Sequence, residues 1–352
     1  MGESNSQFEK RKSDHIQWSM QDFVQTRSLG GLDQIDLIPE ALPEINLQEV
    51  STEASLFSQK FSVPFFVSSM TAGHQGSVSI NQELAGLSQR KNILVGVGSQ
   101  RKELWNTEAE TEWKEIRKKF SGAHLAGNLG LAQLIQSTPS QIQKLIDSLG
   151  ACAFFVHTNP LQEALQKEGT TQFKGGLKAL ENLAKQIKVP IILKEVGCGF
   201  SAKTLEKIKE TGVYAVDVSG LGGTHWGRIE GARFAKDDMG AKIAQTFSDW
   251  GMSTVESVLA SSELKLNYQI WASGGIRTGL DIAKMLSLGA KAVGLASPWL
   301  AAIVNHSVDV RLDEVYEQLQ QELKIAMFCT GCANIDELTQ KKVWKWRKKL
   351  AN

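Results

Sequence analysis

Short, continuously apolar runs alternate along the chain with longer stretches whose apolar residues recur every three or four positions. The short runs are VPFFVSSM (63–70), ILVGVGSQ (93–100), HLAGNLG (124–130), CAFFVHTN (152–159), PIILKEVG (190–197), AVDVSGLGG (215–223), QIWASGG (269–275) and AVGLAS (292–297). A strand that is apolar along its whole length has both faces covered, as in a parallel sheet. The stretches INQELAGLSQRK (80–91), PSQIQKLIDSLG (139–150), GLKALENLAKQIK (176–188), SAKTLEKIKETG (201–212) and GLDIAKMLSLGA (279–290) have the spacing of amphipathic helices, several with a glycine near the end. Eight strand–helix units predict an α/β fold, a closed TIM (β/α)8 barrel; an open doubly wound sheet is the competing arrangement. Nothing in the middle reads as linker or low-complexity sequence. Residues 1–55 are therefore expected to form an N-terminal extension, and residues 56–352 one barrel domain whose last stretch, about 40 residues, adds covering helices.

Composition narrows the picture. A chain of 352 residues, 42% hydrophobic and 22% charged, has ample core for one large domain, and a net charge of +1 argues against a nucleic-acid surface. No apolar run approaches the roughly 18 to 20 residues needed to cross a bilayer, and the polar start MGESNSQFEKRKSDHIQW has no signal-peptide apolar region. The expectation is a soluble, cytoplasmic protein without a membrane or nucleic-acid partner. Cys329 and Cys332 lie close together, but no second pair completes a zinc site, so they are expected to be small core residues at a helix turn.

Active sites of barrels gather at the C-terminal ends of the strands, and polar residues follow every run here. They are MTAGH after the first, SQR after the second, NLG after the third, and His157, Asn159, Gln162 and Glu163 after the fourth. Lys194 ends the fifth, SGLGGTHW follows the sixth, SGGIRTG the seventh and AS the eighth. Taken singly, each reads better as a turn former or strand-end cap, but eight in a row shift the balance toward chemistry. Gly274, Gly275 and Gly279, a helix starting near Leu280, and a second helix opened by GLASP offer backbone N–H groups to an anion. With SGLGGTHW they suit a phosphorylated cofactor lying across the barrel mouth. A lysine closing an apolar strand is costly to bury unpaired; Lys194 either neutralises charge on the N1–C2=O edge of a flavin or forms a Schiff base.

These residues resemble the type 2 isopentenyl-diphosphate isomerases, an FMN-dependent barrel family. The likeness runs through RKSDHI, MTAGH, GSQR, GNLG, HTNPLQE, KEVGCG, SGLGGTHW and SGGIRTGLDIAK. The combination of RKxDH with HxNPxQE is the specific part, and Ala72 stands where the family usually has glycine. The resemblance implies interconversion of isopentenyl and dimethylallyl diphosphate by protonation and deprotonation, with reduced FMN, Mg²⁺ and NADPH as reductant, in a homo-tetramer. It places Gln162 beside the reacting alkene and Glu163 on magnesium, a division that suits a hard oxygen ligand and a neutral amide. Lys194 and His157 complete the implied catalytic set, and Arg11, Lys12, His15, Ser99, Arg101 and Asn159 the substrate-binding set. The implied FMN contacts are Met70, Thr71, Ala72, Ser99, Asn128, Lys194, Ser219, Thr224, Gly274, Gly275, Arg277, Ala296 and Ser297. Without the resemblance, the basic run around Arg11 reads as an ordinary solvated surface.

Two other readings use the same barrel. An FMN-dependent 2-hydroxy-acid oxidase or dehydrogenase needs a histidine base and an arginine clamp, for which His225 and Arg228 are the nearest pair. The third is a non-catalytic phosphate-binding barrel.

Overall fold

The structure, a computed structural model, describes residues 5–70, 77–106, 109–304 and 312–347. All eight apolar runs form strands: β1 (Phe65–Val67), β2 (Leu94–Gly96), β3 (His124–Gly130), β4 (Ala153–His157), β5 (Ile191–Lys194), β6 (Ala215–Asp217), β7 (Gln269–Ser273) and β8 (Ala292–Leu295). They pair in sequence order, every ladder parallel, and β8 closes on β1 with Val293 opposite Phe65. That last ladder rules out the open sheet, and the fold is a TIM barrel.

Strand periodicity divides the barrel into an outer and an inner layer. Phe65, Val67, Phe154, Val156, Ile191, Leu193, Val216 and Ala272 belong to the large core between strands and helices. Their alternates Phe66, Leu94, Ala126, Phe155, Ile192, Ala215, Trp271 and Ala292 form a second core inside the barrel. Within it the ring centroids of Phe66, Phe155 and Trp271 stand 5.2 to 6.2 Å apart. Two residues further along each strand the same inward positions carry Ser68, Gly96, Asn128, His157, Lys194, Asp217, Ser273 and Gly294. Successive residues of a strand alternate faces, so one pleat converts an aromatic plug into a polar floor. The opposite end of the barrel is shut by a hairpin, Ala54–Leu56 against Gln59–Phe61, whose Leu56 and Phe61 join the inner core.

The expected helices form at Ser77–Lys91, Pro139–Leu149, Gly176–Gln186, Ala202–Ile208 and Gly279–Ser287. Their ends follow local rules: Thr138 accepts from Gln141 N and begins one helix ahead of Pro139, and Gly150 ends it at φ 58°. The tail differs from expectation. Helices Leu312–Cys329 and Ile335–Gln340 are followed by a strand, Trp344–Trp346, which pairs antiparallel with Ile35–Leu37 of the N-terminal segment. Cys332 is buried as expected but Cys329 is exposed, so only one of the two takes a core position. Among the described residues no helix is long and apolar enough to cross a membrane.

The first helix, Asn5–Ser19, lies against the C-terminal mouth of the barrel. The segment after it is anchored there by Thr26 N donating to Gly223 O at 2.9 Å and by a bridge between Gln25 and Thr224.

Candidate active site

The mouth opens into a cleft of about 1580 Å³, counted with its open entrance. Arg11, Lys12, His15, Met70, Ser99, Arg101, Asn128, His157, Asn159, Gln162, Glu163, Lys194, Ser219, Thr224, Gly274, Gly275, Arg277, Ala296 and Ser297 all line it. Thr71 and Ala72 lie outside the described residues. The RK run is not a solvated surface: Arg11 and His15, one helical turn apart, are 4% and 5% exposed and face the cleft.

One wall is built by β4 and the short helix Pro160–Leu165. Asn159 holds the N-cap position, yet its side chain makes no cap bond. Nδ2 instead donates to Gln162 Oε1 at 3.0 Å and to Glu163 Oε1 at 3.2 Å. The residue is therefore diverted from a capping role to orienting its two neighbours. Glu163 is buried, and its second oxygen accepts from Thr170 N at 2.5 Å. With Gln162 Oε1 occupied, Nε2 points the other way and donates to Glu230 Oε1 at 3.1 Å. Glu230, on the helix Trp226–Ala232, also meets His15 Nε2 at 3.0 Å and Arg233 at 2.6 Å. Burial pushes the Glu230 carboxyl upward, but His15 and Arg233 outweigh it and hold it below the ordinary carboxylate range. Burial lowers His15 despite that contact.

His157 Nδ1 lies 2.9 Å from Asn128 Oδ1, while Asn128 Nδ2 donates to Val97 O at 3.2 Å. The amide orientation puts the proton of a neutral imidazole on Nδ1. Enclosure by the cavity wall, reinforced by Lys12 and Lys194, drives the pKa of His157 down to about 3. On the neighbouring strands Lys194 Nζ donates to Asp217 Oδ2 and to Ser273 Oγ, both at 2.8 Å, and Ser273 Oγ donates to Asp217 Oδ1 at 2.7 Å. Lys194 is thus an ammonium in a buried pair, not an unpaired amine available for a Schiff base.

The glycine end differs from expectation in one respect. The helix at Gly279 has two of its first N–H groups already taken, Gly279 N by Glu322 Oε2 at 2.6 Å and Asp281 N by Thr278 Oγ1 at 3.1 Å, while Arg277 N and Thr278 N just ahead of it donate to Asp281 Oδ2. A Cβ at Gly279 would meet Leu319 O at 2.3 Å, so this glycine serves helix packing and not an anion. Gly274 and Gly275 do line the cleft, at φ 98° and 85°, and a side chain there would strike the backbone of Gly220 and Gly222. Arg277 reaches across to Gln25 Oε1 at 2.7 Å, tying the arm to this loop.

The oxidase-like pair is committed elsewhere. His225 is fully buried, accepts from Arg228 N and lies 3.2 Å from Trp250 O. Arg228 donates to Ser248 O, Phe23 O and Gln25 O and pairs with Asp249. Neither is among the residues lining the cleft.

A family model described as FMN-dependent dehydrogenase matches residues 134–345. An isopentenyl-diphosphate delta-isomerase of Bdellovibrio bacteriovorus is 53% identical over 347 residues, covering 97% of this chain and 99% of that protein. One of Legionella pneumophila is 46% identical, covering 96% and 98%, and one of a Nostoc species 38%, covering 95% of each. The chain belongs to the isopentenyl-diphosphate delta-isomerase family. Among solved structures, an (S)-mandelate dehydrogenase mutant superposes with TM-score 0.70 at 17% identity, covering 96% of this chain and 95% of that one. A flavocytochrome b2 mutant gives 0.69 at 20%, covering 97% and 83%. At that identity the likeness is one of fold alone.

For this isomerase-family chain, sequence reasoning missed Asp217, Ser273, Glu230 and Gln25. Asp217 had a signal, since it is the one charge in the run AVDVSG, on the inward parity set by Ala215. Glu230 had none, because its partner His15 lies 215 residues away.

Proposed function

We propose that this chain interconverts isopentenyl and dimethylallyl diphosphate, moving one double bond with reduced FMN and Mg²⁺ and without net electron transfer. The observation that carries the reading is the Gln162 amide, held in one orientation between Asn159 and Glu230 beside the carboxylate of Glu163, in a cleft it shares with Lys194. That arrangement joins a proton-positioning group, a hard oxygen ligand and a cofactor platform in one space.

The residues present fit a flavin nucleotide. Ser68 Oγ, Ser69 Oγ and Arg277 Nε are buried without a hydrogen-bond partner among the described residues, and all three side chains belong to the cleft lining. At Gly294, also lining the cleft, a Cβ would meet Ser68 Oγ at 2.3 Å. On this reading Lys194 faces the flavin edge, and Ser68, Ser69, Asn128, Ser219, Thr224, Arg277 and the backbone from Gly274 to Ser297 hold the remainder. The bound FMN supplies an electron-rich acid–base group that an unactivated alkene requires. The protein's part is to bind and orient. Gln162 keeps its amide at the reacting carbons, and Arg11, Lys12, His15, Arg101, Ser99, His157 and Asn159 hold the diphosphate.

The residues also fit magnesium bound mostly by its substrate. Among the described residues no cluster of three or more His, Cys, Asp or Glu surrounds a common point. Mg²⁺ commonly takes one or two carboxylates and completes its shell with substrate phosphates and water, and Glu163 is the carboxylate this reading assigns to it. The same reading takes residues 1–55 as the substrate-binding arm and 56–352 as the FMN barrel, NADPH as the reductant, the cytoplasm as the location and a homo-tetramer as the assembly.

The test is anaerobic incubation of dithionite-reduced holoenzyme with Mg²⁺ and isopentenyl diphosphate. Dimethylallyl diphosphate should accumulate over many turnovers while the flavin stays reduced. Full activity of the oxidised enzyme, or flavin reoxidation in step with product, would overturn the reading.

A further inference from the structure

Three polar groups inside the barrel are coupled more tightly than binding alone requires. Lys194 and Ser273 line the cleft, but Asp217 does not; it is fully buried behind them and accepts from both. Lys194 and Asp217 are register partners on adjacent strands, so the pairing is fixed by the barrel itself. A carboxylate in that position acts on the contents of the cleft only through the ammonium and the hydroxyl.

Electrostatics says what it does there. An isolated ammonium would present a full positive charge to the cleft, whereas one hydrogen-bonded to a carboxylate at 2.8 Å presents a dipole whose field falls off faster. Ser273 modulates the pair, because its hydroxyl hydrogen draws carboxylate charge away from the ammonium while its oxygen accepts from Lys194. We propose that Asp217 is a positioning residue that, through Lys194 and with Ser273, sets how much positive charge reaches a flavin in the cleft and so sets its reduction potential. The proposal rests on the reading that FMN lies against Lys194.

The experiment is spectroelectrochemical titration of FMN in the holoenzyme for wild type, Lys194→Gln, Asp217→Asn and Ser273→Ala. Lys194→Gln, which removes the positive charge, should lower the potential. Asp217→Asn unmasks the ammonium and should favour reduced flavin tenfold or more, about 30 mV upward for a two-electron couple. Ser273→Ala returns carboxylate charge to Lys194 and should move the potential downward. Opposite shifts from two neighbouring changes are not what general loosening of the site would give. If Lys194→Gln shifts the potential and Asp217→Asn does not, the role of Asp217 is overturned while the flavin placement stands. If Lys194→Gln leaves it unmoved, the placement itself fails and the proposal with it. Should Asp217→Asn not fold, Ser273→Ala decides: a downward shift supports the proposal, and no shift or an upward one overturns it.

Discussion

Gln162 Nε2 donates to Glu230 Oε1 across 68 residues of sequence, and that bond leaves the amide a single orientation because Asn159 already occupies its oxygen. Glu230→Gln replaces an obligate acceptor by an amide that can present either end, so the Gln162 side chain loses its fixed direction. Turnover should fall by a factor on the order of 10², with flavin affinity near normal and a smaller change in KM. Combining it with Gln162→Ala should cost little beyond the larger single effect, since both disable one unit. Additive losses in that double-mutant cycle would separate the two residues.

His157 gives a pH prediction. Its folded pKa of about 3 lies below the ordinary histidine value, so the folded chain refuses a proton that the unfolded chain accepts. The stability involved is present above pH ~6.5 and is lost as pH falls toward 3, by up to about 1.4 kcal/mol per pH unit. A diphosphate reverses the balance, because the neutral ring with its proton on Nδ1 has only a lone pair on Nε2 to offer. Binding should therefore raise the His157 pKa, by roughly 1 to 3 units for a nearby opposite charge, and take up a proton increasingly as pH falls below about 6, seen by calorimetry in buffers of different ionisation enthalpy. His157→Gln should remove that uptake; a wild-type proton count in the variant would place the uptake elsewhere.

Glu163 carries the magnesium prediction. Glu163→Gln removes a charge at nearly constant volume, so the Mg²⁺ concentration for half-maximal rate should rise by about 10- to 100-fold with FMN retained. The amide can no longer accept from both Asn159 Nδ2 and Thr170 N, so a stability loss of about 1 to 3 kcal/mol should accompany it. Unchanged magnesium dependence alongside that stability loss would make Glu163 a purely structural clamp.

What was legible in the sequence follows from range. Strand number, barrel closure and the polar rim come from patterns within a few residues, and one parity argument applied to AVDVSG would have found Asp217. The anion reading of the helix at Gly279 failed because one of its capping carboxylates, Glu322, arrives from 43 residues downstream. The oxidase-like reading failed because Arg228 is drawn to Phe23 and Gln25, some two hundred residues upstream. Asn159 holds a helix N-cap position, yet its side chain is drawn to Gln162 and Glu163. Local rules place residues at the mouth, and distant partners decide what they do there.

The arm supplies the last prediction. Arg11 is carried on the helix Asn5–Ser19, is 4% exposed and lines the cleft together with Lys12 and His15. A guanidinium offers paired donors that match phosphate oxygens, so its contact with a diphosphate should be charge-assisted and geometrically specific. Arg11→Gln keeps much of the buried stem and removes the charge. Affinity for isopentenyl diphosphate should weaken by about 1.5 to 3 kcal/mol, roughly 10- to 150-fold, while kcat changes less. Arg11→Lys should restore only part of it, because a point charge replaces a planar fork. Binding is measured on the reduced, magnesium-loaded enzyme, with the melting temperature of each variant as the folding control. Wild-type affinity in Arg11→Gln at an unchanged melting temperature would remove the arm from the diphosphate site and leave Arg101 and Lys12 to hold that end of the cleft.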